Sequence, residues 1–388
     1  MITQNEINNL AVEWGLRTDI VEKDYVIGWV LWGVAAEQEL KQHWAFKGGT
    51  CLKKCFVETW RFSEDLDFTV LPGGPITPGD IKPLIEKVLK RVSDNSGINF
   101  NLKEPAYKYF DKYNYVEGSI YYQGPRQAPN PVRIKLDISG NEKVVRPTVL
   151  RKIIHPYSDA PKDHNDIRCY GFEEVFAEKI RAMGERSRPR DLYDIVLLYR
   201  KQNLKSTPQL IRDVLVEKCK SKGVAFPSFQ TINTQAVKAE LDSAWASMLG
   251  HQLPILPSID EYWAELPNLF KWLDGQIQPA VLPAVVVGKN EDASWVPPQT
   301  IWNWGTGLPL ESVRFAAANR LCIRLGYQGT KREIEPYSLR RTKDGNLLLY
   351  GVKRSSSELR SYRVDRISSI EVTNTVFAPR FRIGFSAD

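Results

Sequence analysis

Arg61-Phe62-Ser63-Glu64-Asp65-Leu66-Asp67-Phe68-Thr69-Val70 alternates polar and apolar side chains, the period of two that marks a strand with one face in a core. On such a strand Ser63, Asp65 and Asp67 share one face, while Leu66, Phe68 and Val70 share the other. Two carboxylates at positions i and i+2 stand roughly 6–7 Å apart and repel each other unless a cation lies between them. A divalent metal with oxygen ligands resolves that repulsion. Val132-Arg133-Ile134-Lys135-Leu136-Asp137-Ile138-Ser139 repeats the same period and places Asp137 on the polar face of a second strand. Three carboxylates on two neighbouring strands, Asp65, Asp67 and Asp137, can hold the two Mg2+ ions of an in-line phosphoryl or nucleotidyl displacement.

Upstream, Phe46-Lys47-Gly48-Gly49-Thr50 is a turn signal ahead of a short helix expected over Cys51 to Trp60. Glycines there let backbone N–H groups approach a phosphate, and Lys53 and Lys54 in the first turn add positive charge. A helical pattern precedes this turn from Ile20 to about Leu40, and another follows over Ile81 to Val92. The Tyr-, Val- and Ile-rich stretch from Asn99 to Leu150 reads as several strands. Two helices are then expected, Phe172 to Met183 and Pro189 to Lys201. Lys179 lies at the edge of the first helix's apolar side, where a lysine either snorkels to solvent or serves a site. Asp191 opens the second, where it either favours the helix dipole or joins the same site, and Asp194 shares its face. Strands followed by helices suggest an α+β or α/β core.

The chain has 388 residues, enough for two or three domains, with 43% hydrophobic and 26% charged residues. That composition excludes a disordered or collagen-like chain. No apolar run is long enough for a membrane span, and Met1 to Glu6 has neither the basic start nor the apolar stretch of a secretory signal. The cysteines (Cys51, Cys55, Cys169, Cys219, Cys322) are odd in number and scattered. Only Cys51 and Cys55 lie close, and nothing nearby in sequence completes a zinc pattern, so a reduced cytoplasm is the expected compartment. Between Glu311 and Asp388 there are 15 Lys and Arg against 8 Asp and Glu, so this last fifth carries the whole net charge of +7. Such asymmetry favours a polyanionic partner at the C-terminal end.

Residues 205–285 read as mostly helical, and 286–311 as a linker rich in Pro, Gly, Asn and Trp. Five short strands follow: Leu321 to Tyr327, Ile334 to Arg341, Leu347 to Val352, Leu359 to Val364 and Ile367 to Thr373, the signature of a small barrel or sandwich. The expected organisation is therefore a core over 1–204, a helical region over 205–285, a linker over 286–311 and a β-module over 312–388.

The ordered set GGTCLKK, RFSEDLDF, RIKLDIS and EEVFAEKIRAM with RPRDLYDI, preceded by VEKDYVIGWVL, resembles the AbiEii/AbiGii-type nucleotidyltransferase toxins over about residues 10–200. The resemblance implies an α+β fold with a polymerase-β-type nucleotidyltransferase core. It makes Asp65 and Asp67 metal ligands with Asp137 as the third, places Gly48, Gly49, Thr50 and Ser63 around the triphosphate of an NTP, to which the first-turn Lys53 adds charge, and gives Lys179 and Asp191 catalytic roles. It further implies a toxin of a toxin–antitoxin or phage-defence pair that adds nucleotides to RNA, with the tRNA 3′ end foremost and an antitoxin protein as partner. A toxin that nucleotidylates or phosphorylates a protein is the alternative in the same fold. A ligand-responsive regulator with an inactive core is another, set against the intact acidic row and the lack of a basic helix-turn-helix. Residues 312–386 resemble a WYL domain, although Leu347-Leu348-Leu349 stands where the namesake tripeptide would be. That resemblance implies a small Sm/SH3-like β-barrel binding nucleic acid or a nucleotide-like ligand through Arg332, Arg360, Arg363 and Arg366, unless half of these arginines pair with Glu335, Glu358 and Asp365.

Overall fold

The computed structural model describes residues 1–57, 61–163, 166–201, 207–286, 288–297 and 308–385. Helix α1 (Gln4–Trp14) opens on a Thr3 cap whose hydroxyl accepts from the Glu6 N–H, and closes at Gly15. It was not expected from the sequence, because its apolar positions are few. Helix α2 (Thr18–Ala36) is apolar nearly all round and almost wholly buried, and α3 (Gln38–His43) leads into strand β1 (Trp44–Lys47). A short α4 (Gly48–Cys51) continues as a π-helical turn over Leu52–Phe56. The helix expected to reach Trp60 therefore stops at Phe56, and residues 58–60 lie outside the described residues. Strand β2 (Asp65–Val70), helix α5 (Pro78–Ser96), and strands β3 (Ala106–Phe110), β4 (Tyr115–Tyr122), β5 (Val132–Ser139), β6 (Val149–Arg151) and β7 (Ile167–Cys169) complete the first half.

These seven strands form one mixed sheet in the order β3-β4-β5-β2-β1-β7-β6, with β2/β5 and β1/β7 parallel and the other pairs antiparallel. One face is apolar. Leu66, Phe68, Val116, Ile120, Ile134, Leu136 and Ile138 are buried in a cluster with α2 and α5 residues such as Tyr25, Leu31, Leu84 and Val88. Fully burying each large apolar side chain contributes about 1.5–3 kcal/mol, so the register is strongly enforced. A one-residue slip of β2 would put Asp65 and Asp67 into this core. The fold thus obliges the carboxylates to face the other side.

On that side lie α6 (Phe172–Arg186) and α7 (Pro189–Arg200), followed by α8 (Pro208–Lys222), α9 (Phe229–Ile232), α10 (Gln235–Leu249), α11 (Ile259–Trp263) and α12 (Leu266–Leu273). Their apolar faces build one cluster that continues through α13 (Leu310–Ala318) into the C-terminal strands β8 (Leu321–Tyr327), β9 (Thr330–Arg341), β10 (Leu347–Lys353), β11 (Glu358–Arg363) and β12 (Ile367–Val376). Of the expected linker, residues 287 and 298–307 lie outside the described residues, and Leu310 is already a core residue.

The molecule is α+β, as expected. The five C-terminal strands are all present and antiparallel, in the order β11-β10-β9-β8-β12. Among the described residues no ladder joins β11 to β12, so the sheet is open and the closed barrel expected from sequence is not formed. Only a three-residue 3-10 turn, Val364–Arg366, links these two edge strands. At roughly 3.3–3.6 Å per residue it spans little distance, so the sheet curves until its edges meet at that corner without pairing.

Candidate active site

Register builds the site. Lys47 of β1 stands opposite Asp67 of β2, Asp67 opposite Asp137 of β5, Asp137 opposite Glu117 of β4, and Glu117 opposite Lys108 of β3. Cross-strand partners share a face, so these five residues form one charged row running across the sheet. Asp65, opposite Lys135, begins a second row beside it. The Asp137 carboxylate accepts from Lys135 Nζ at 2.8 Å and from the Tyr115 hydroxyl. Lys47 pairs with Glu142 at 2.8 Å and with Glu178 of α6 at 3.4 Å.

The glycine turn meets this row directly. Gly48 has φ +81, and a Cβ there would collide with Asp67 Oδ2, so both backbone and space demand glycine. A Cβ on Gly49 would lie 2.7 Å from Arg61 Nη2 and 3.1 Å from Ser63 Oγ. Ser63 precedes β2 rather than lying in it, yet it borders the turn. Thr50 donates its hydroxyl to the Asp65 backbone carbonyl, fixing the turn against β2. Lys53 turns toward two aromatic rings. It is buried with its ammonium 4.3 Å from the centre of the Phe62 ring and 5.9 Å from that of Trp14. Lys54 forms a buried pair with Asp24 at 2.6 Å. The π-helical winding after Cys51 carries both lysines inward, which a plain first-turn reading misplaces.

Helices α6 and α7 bring the cations. Lys179 is buried rather than snorkelling, 2.8 Å from Asp194 and 3.5 Å from Asp191. Arg61, also buried, donates Nε and Nη2 to the two oxygens of Asp194, each at 2.8 Å, and Nη1 to Gln252. Arg186 donates to Asp191 at 2.8 and 3.1 Å. Burial pushes the Asp194 carboxyl up, but Arg61 and Lys179 outweigh it and hold it below the usual carboxylate range. Arg190 approaches from the start of α7. Burial and the neighbouring Arg61 depress its guanidinium, and its charge acts on Asp65.

Electrostatics join these parts into one cluster. Burial pushes the Asp67 carboxyl up to about 6, Asp137 and Asp65 push the same way, and Lys47 and Lys179 oppose them. Asp65 is raised by burial and Asp137 and restrained by Lys135 and Arg190. Crowded carboxyls that resist ionisation, oxygen-only donors and a glycine cradle suit a hard divalent cation. Asp65 and Asp67 fit it best. Asp137 is already engaged by Lys135 and Tyr115, and the three carboxylates do not converge within 4.8 Å.

An open cleft of about 670 Å3 fronts the row. Asp67, Asp137 and Lys47 lie at its base, with Phe110, Lys112, Tyr113 and Tyr115 from the β3–β4 turn and Ser221 and Lys222 at the end of α8 along its sides. Lys47, Arg61, Arg190 and the aromatic turn were missed from sequence. Lys47 and Arg61 lie within the quoted stretches, but only the folded chain shows which way they point.

The C-terminal arginines are arranged otherwise. Arg332 lies 5.2 Å from the Tyr327 ring centre and 6.0 Å from that of Tyr362. Arg360 pairs with Glu358 at 2.6 Å, Arg363 pairs with Asp365 at 2.7 Å, and Arg366 is exposed. Glu335 is taken by Arg354, Arg380 and the Tyr337 hydroxyl.

Residues 29–266 match the family described as nucleotidyl transferase AbiEii toxin, type IV TA system, and residues 310–372 match the WYL domain. Among solved structures the chain is similar to the nucleotidyltransferase toxin MenT4 of Mycobacterium tuberculosis H37Rv, at 17% identity and a TM-score of 0.46, over 72% of this chain and 91% of that one. It is also similar to proteasome accessory factor B/C of Arthrobacter aurescens, at 11% identity and a TM-score of 0.17, over 70% of this chain and 59% of that one. No curated protein matches it.

Proposed function

Starting from the fact that the chain belongs to the AbiEii nucleotidyltransferase toxin family, we propose that it transfers a nucleotidyl group from an NTP to the 3′ end of RNA, tRNA foremost. The 3′-hydroxyl gives up its proton to solvent as its oxygen forms a bond to the α-phosphorus, the bond from that phosphorus to the β-phosphate oxygen breaks, and pyrophosphate leaves in line. Mg2+ bound at Asp65 and Asp67, with Asp137 as a third donor once Lys135 yields it, would supply charge neutralisation on the phosphate oxygens. The chain's own residues do the rest. Gly48 and Gly49 let the triphosphate approach the backbone, with Ser63 bordering the turn and Thr50 holding it against β2. Lys179 and Arg190 offer positive charge to the leaving pyrophosphate. Asp191, Asp194 and Arg61 hold Lys179 in place rather than touching substrate.

The observation that carries this reading is the charged row, Lys47–Asp67–Asp137, lying directly against the left-handed Gly48. RNA is favoured as acceptor over protein by the mouth of the cleft. There Tyr113 is 60% exposed, Lys112 Nζ lies 5.5 Å from its ring centre, and the Phe110 and Tyr115 rings sit 5.8 Å apart. One exposed and two half-buried aromatics beside Lys112 suit stacked bases and a phosphate backbone. The WYL segment would dock a further anionic ligand, with Arg332 and Arg366 as contacts and Arg360 and Arg363 released from local pairs. A cognate antitoxin completes the system that the family implies.

Incubation of the full chain with each α-labelled NTP, Mg2+ and total tRNA tests the proposal. Label on RNA, lost in Asp67→Asn, is expected. Label on protein would move the assignment to a protein-modifying toxin, and no transfer with any NTP would overturn it.

A further inference from the structure

We propose that Cys51, Cys55 and Cys169 form a binding site for a soft d10 metal cation, Cu+ or Zn2+, separate from the carboxylate row. Their sulfurs all lie within 4.8 Å of one another, and all three residues are buried and free of disulfides. Cys51 and Cys55 are one helical turn apart on the segment that begins at Gly48, so their side chains share a face. Cys169 arrives from far along the chain, because β7 pairs in parallel with β1 and sets Cys169 beside Phe46. The sequence pattern therefore lacked a third ligand that the sheet supplies.

The geometry suits a cation closely. Thiolates bound at about 2.3 Å from one metal stand roughly 3.8 Å apart, so the cluster needs to contract by no more than about 1 Å. The donors are all sulfur, which selects soft cations over Mg2+. No histidine, carboxylate or fourth thiol among the described residues joins the group. Charge is suitable too. Burial pushes the Cys51 and Cys55 thiols up, so binding must release their protons, and the positive charge of Arg151, on the neighbouring β6, opposes that burial at Cys55. The bland alternative is three small apolar side chains filling a core. A bound cation would clip the helix that carries Gly48 and Gly49 to the strand that leads into α6 and Lys179, bracing the NTP pocket from behind.

The reduced, metal-free full-length chain is titrated with Cd2+, with Zn2+ as competitor, and separately with Cu+, reading the sulfur-to-metal charge-transfer absorption. One ion per chain is expected, with affinity falling about 100-fold or more in Cys51→Ser and in Cys169→Ser and unchanged in Cys219→Ser and Cys322→Ser. Zn2+ displacing Cd2+ identifies zinc, and saturation by Cu+ alone identifies copper. Should the serine variants fail to fold, the wild-type protein decides. Metal should protect Cys51, Cys55 and Cys169 from alkylation in mild denaturant, and leave Cys219 and Cys322 reactive. Absence of the absorption, its survival in Cys169→Ser, or equal protection of all five cysteines overturns the proposal.

Discussion

The molecule carries two charged sheet faces that differ in where each charge finds its partner. Around the carboxylate row of the seven-stranded sheet, apart from the local Lys135–Asp137 pair, the partners come from other elements and are largely buried: Arg61 meets Asp194, Lys179 meets Asp191 and Asp194, and Lys47 meets Glu142 and Glu178. On the five-stranded sheet two of the candidate arginines pair at the surface with acids two residues away, Glu358–Arg360 and Arg363–Asp365, while buried Glu335 draws Arg354 and Arg380 from farther along the chain. A local exposed pair needs no tertiary structure and contributes little to stability, whereas a buried distant pair exists only when the fold is complete and costs much to break. The first face is built to hold charge in a fixed geometry. The second keeps its arginines available, since an exposed partner is easily exchanged for an anionic ligand.

The largest effects fall on the first face. Asp65→Asn or Asp67→Asn should lower nucleotidyl transfer by about 10^3-fold or more, which is about 4 kcal/mol of barrier, while Arg360→Ala leaves the rate of transfer to a short acceptor unchanged. Comparable rates for all three variants would erase the distinction. Next, Arg61→Ala should lower unfolding stability by about 3–5 kcal/mol, because it leaves the fully buried Asp194 carboxylate with Lys179 as its remaining cation and Gln252 without its donor. Arg363→Ala should leave the denaturation midpoint where it was. Gly48→Ala, with its left-handed backbone and the collision with Asp67, should cost about 1–3 kcal/mol and displace the carboxylate, so that stability and transfer fall together.

The smallest effect sharpens the comparison through its sign. Asp67 is raised to about 6 in the folded chain, so between its ordinary value and 6 the folded state binds more protons than the unfolded one. In metal-free buffer this group's contribution to stability should therefore rise as pH falls through 6, by about 1–2 kcal/mol after allowing for its partial exposure, and Asp67→Asn should abolish the slope. The Asp365 carboxyl is held low by Arg363, so its contribution is present above its ordinary range and is lost as pH falls further. Denaturation midpoints across this range, with and without Mg2+, check both slopes. A metal increment that does not shrink as pH falls below 6 would contradict the assignment of Asp67.

Much of this was legible in the sequence. The strand Val132–Ser139 has the bounds its alternation implies, and all five C-terminal strands occur where periodicity places them. The carboxylate row followed from a period of two because a core on one face fixes what the other face displays. Pairing between distant segments was not legible. Lys53 turned toward Phe62 because the helix unwinds into a π-turn, a departure with no local sequence signal. Lys47 entered the row through its register with β2, and Cys169 reached the other thiols through its register with β1. The barrel remained open because closure depends on how edge strands meet, which strand lengths do not encode.

The most direct test is a crystal structure of the full chain with Mn2+ and a non-hydrolysable NTP. The account predicts anomalous peaks between Asp65 and Asp67, with the triphosphate over Gly48 and Gly49 and within reach of Lys179 and Arg190. Manganese and nucleotide bound elsewhere, with both aspartates still unliganded, would contradict it.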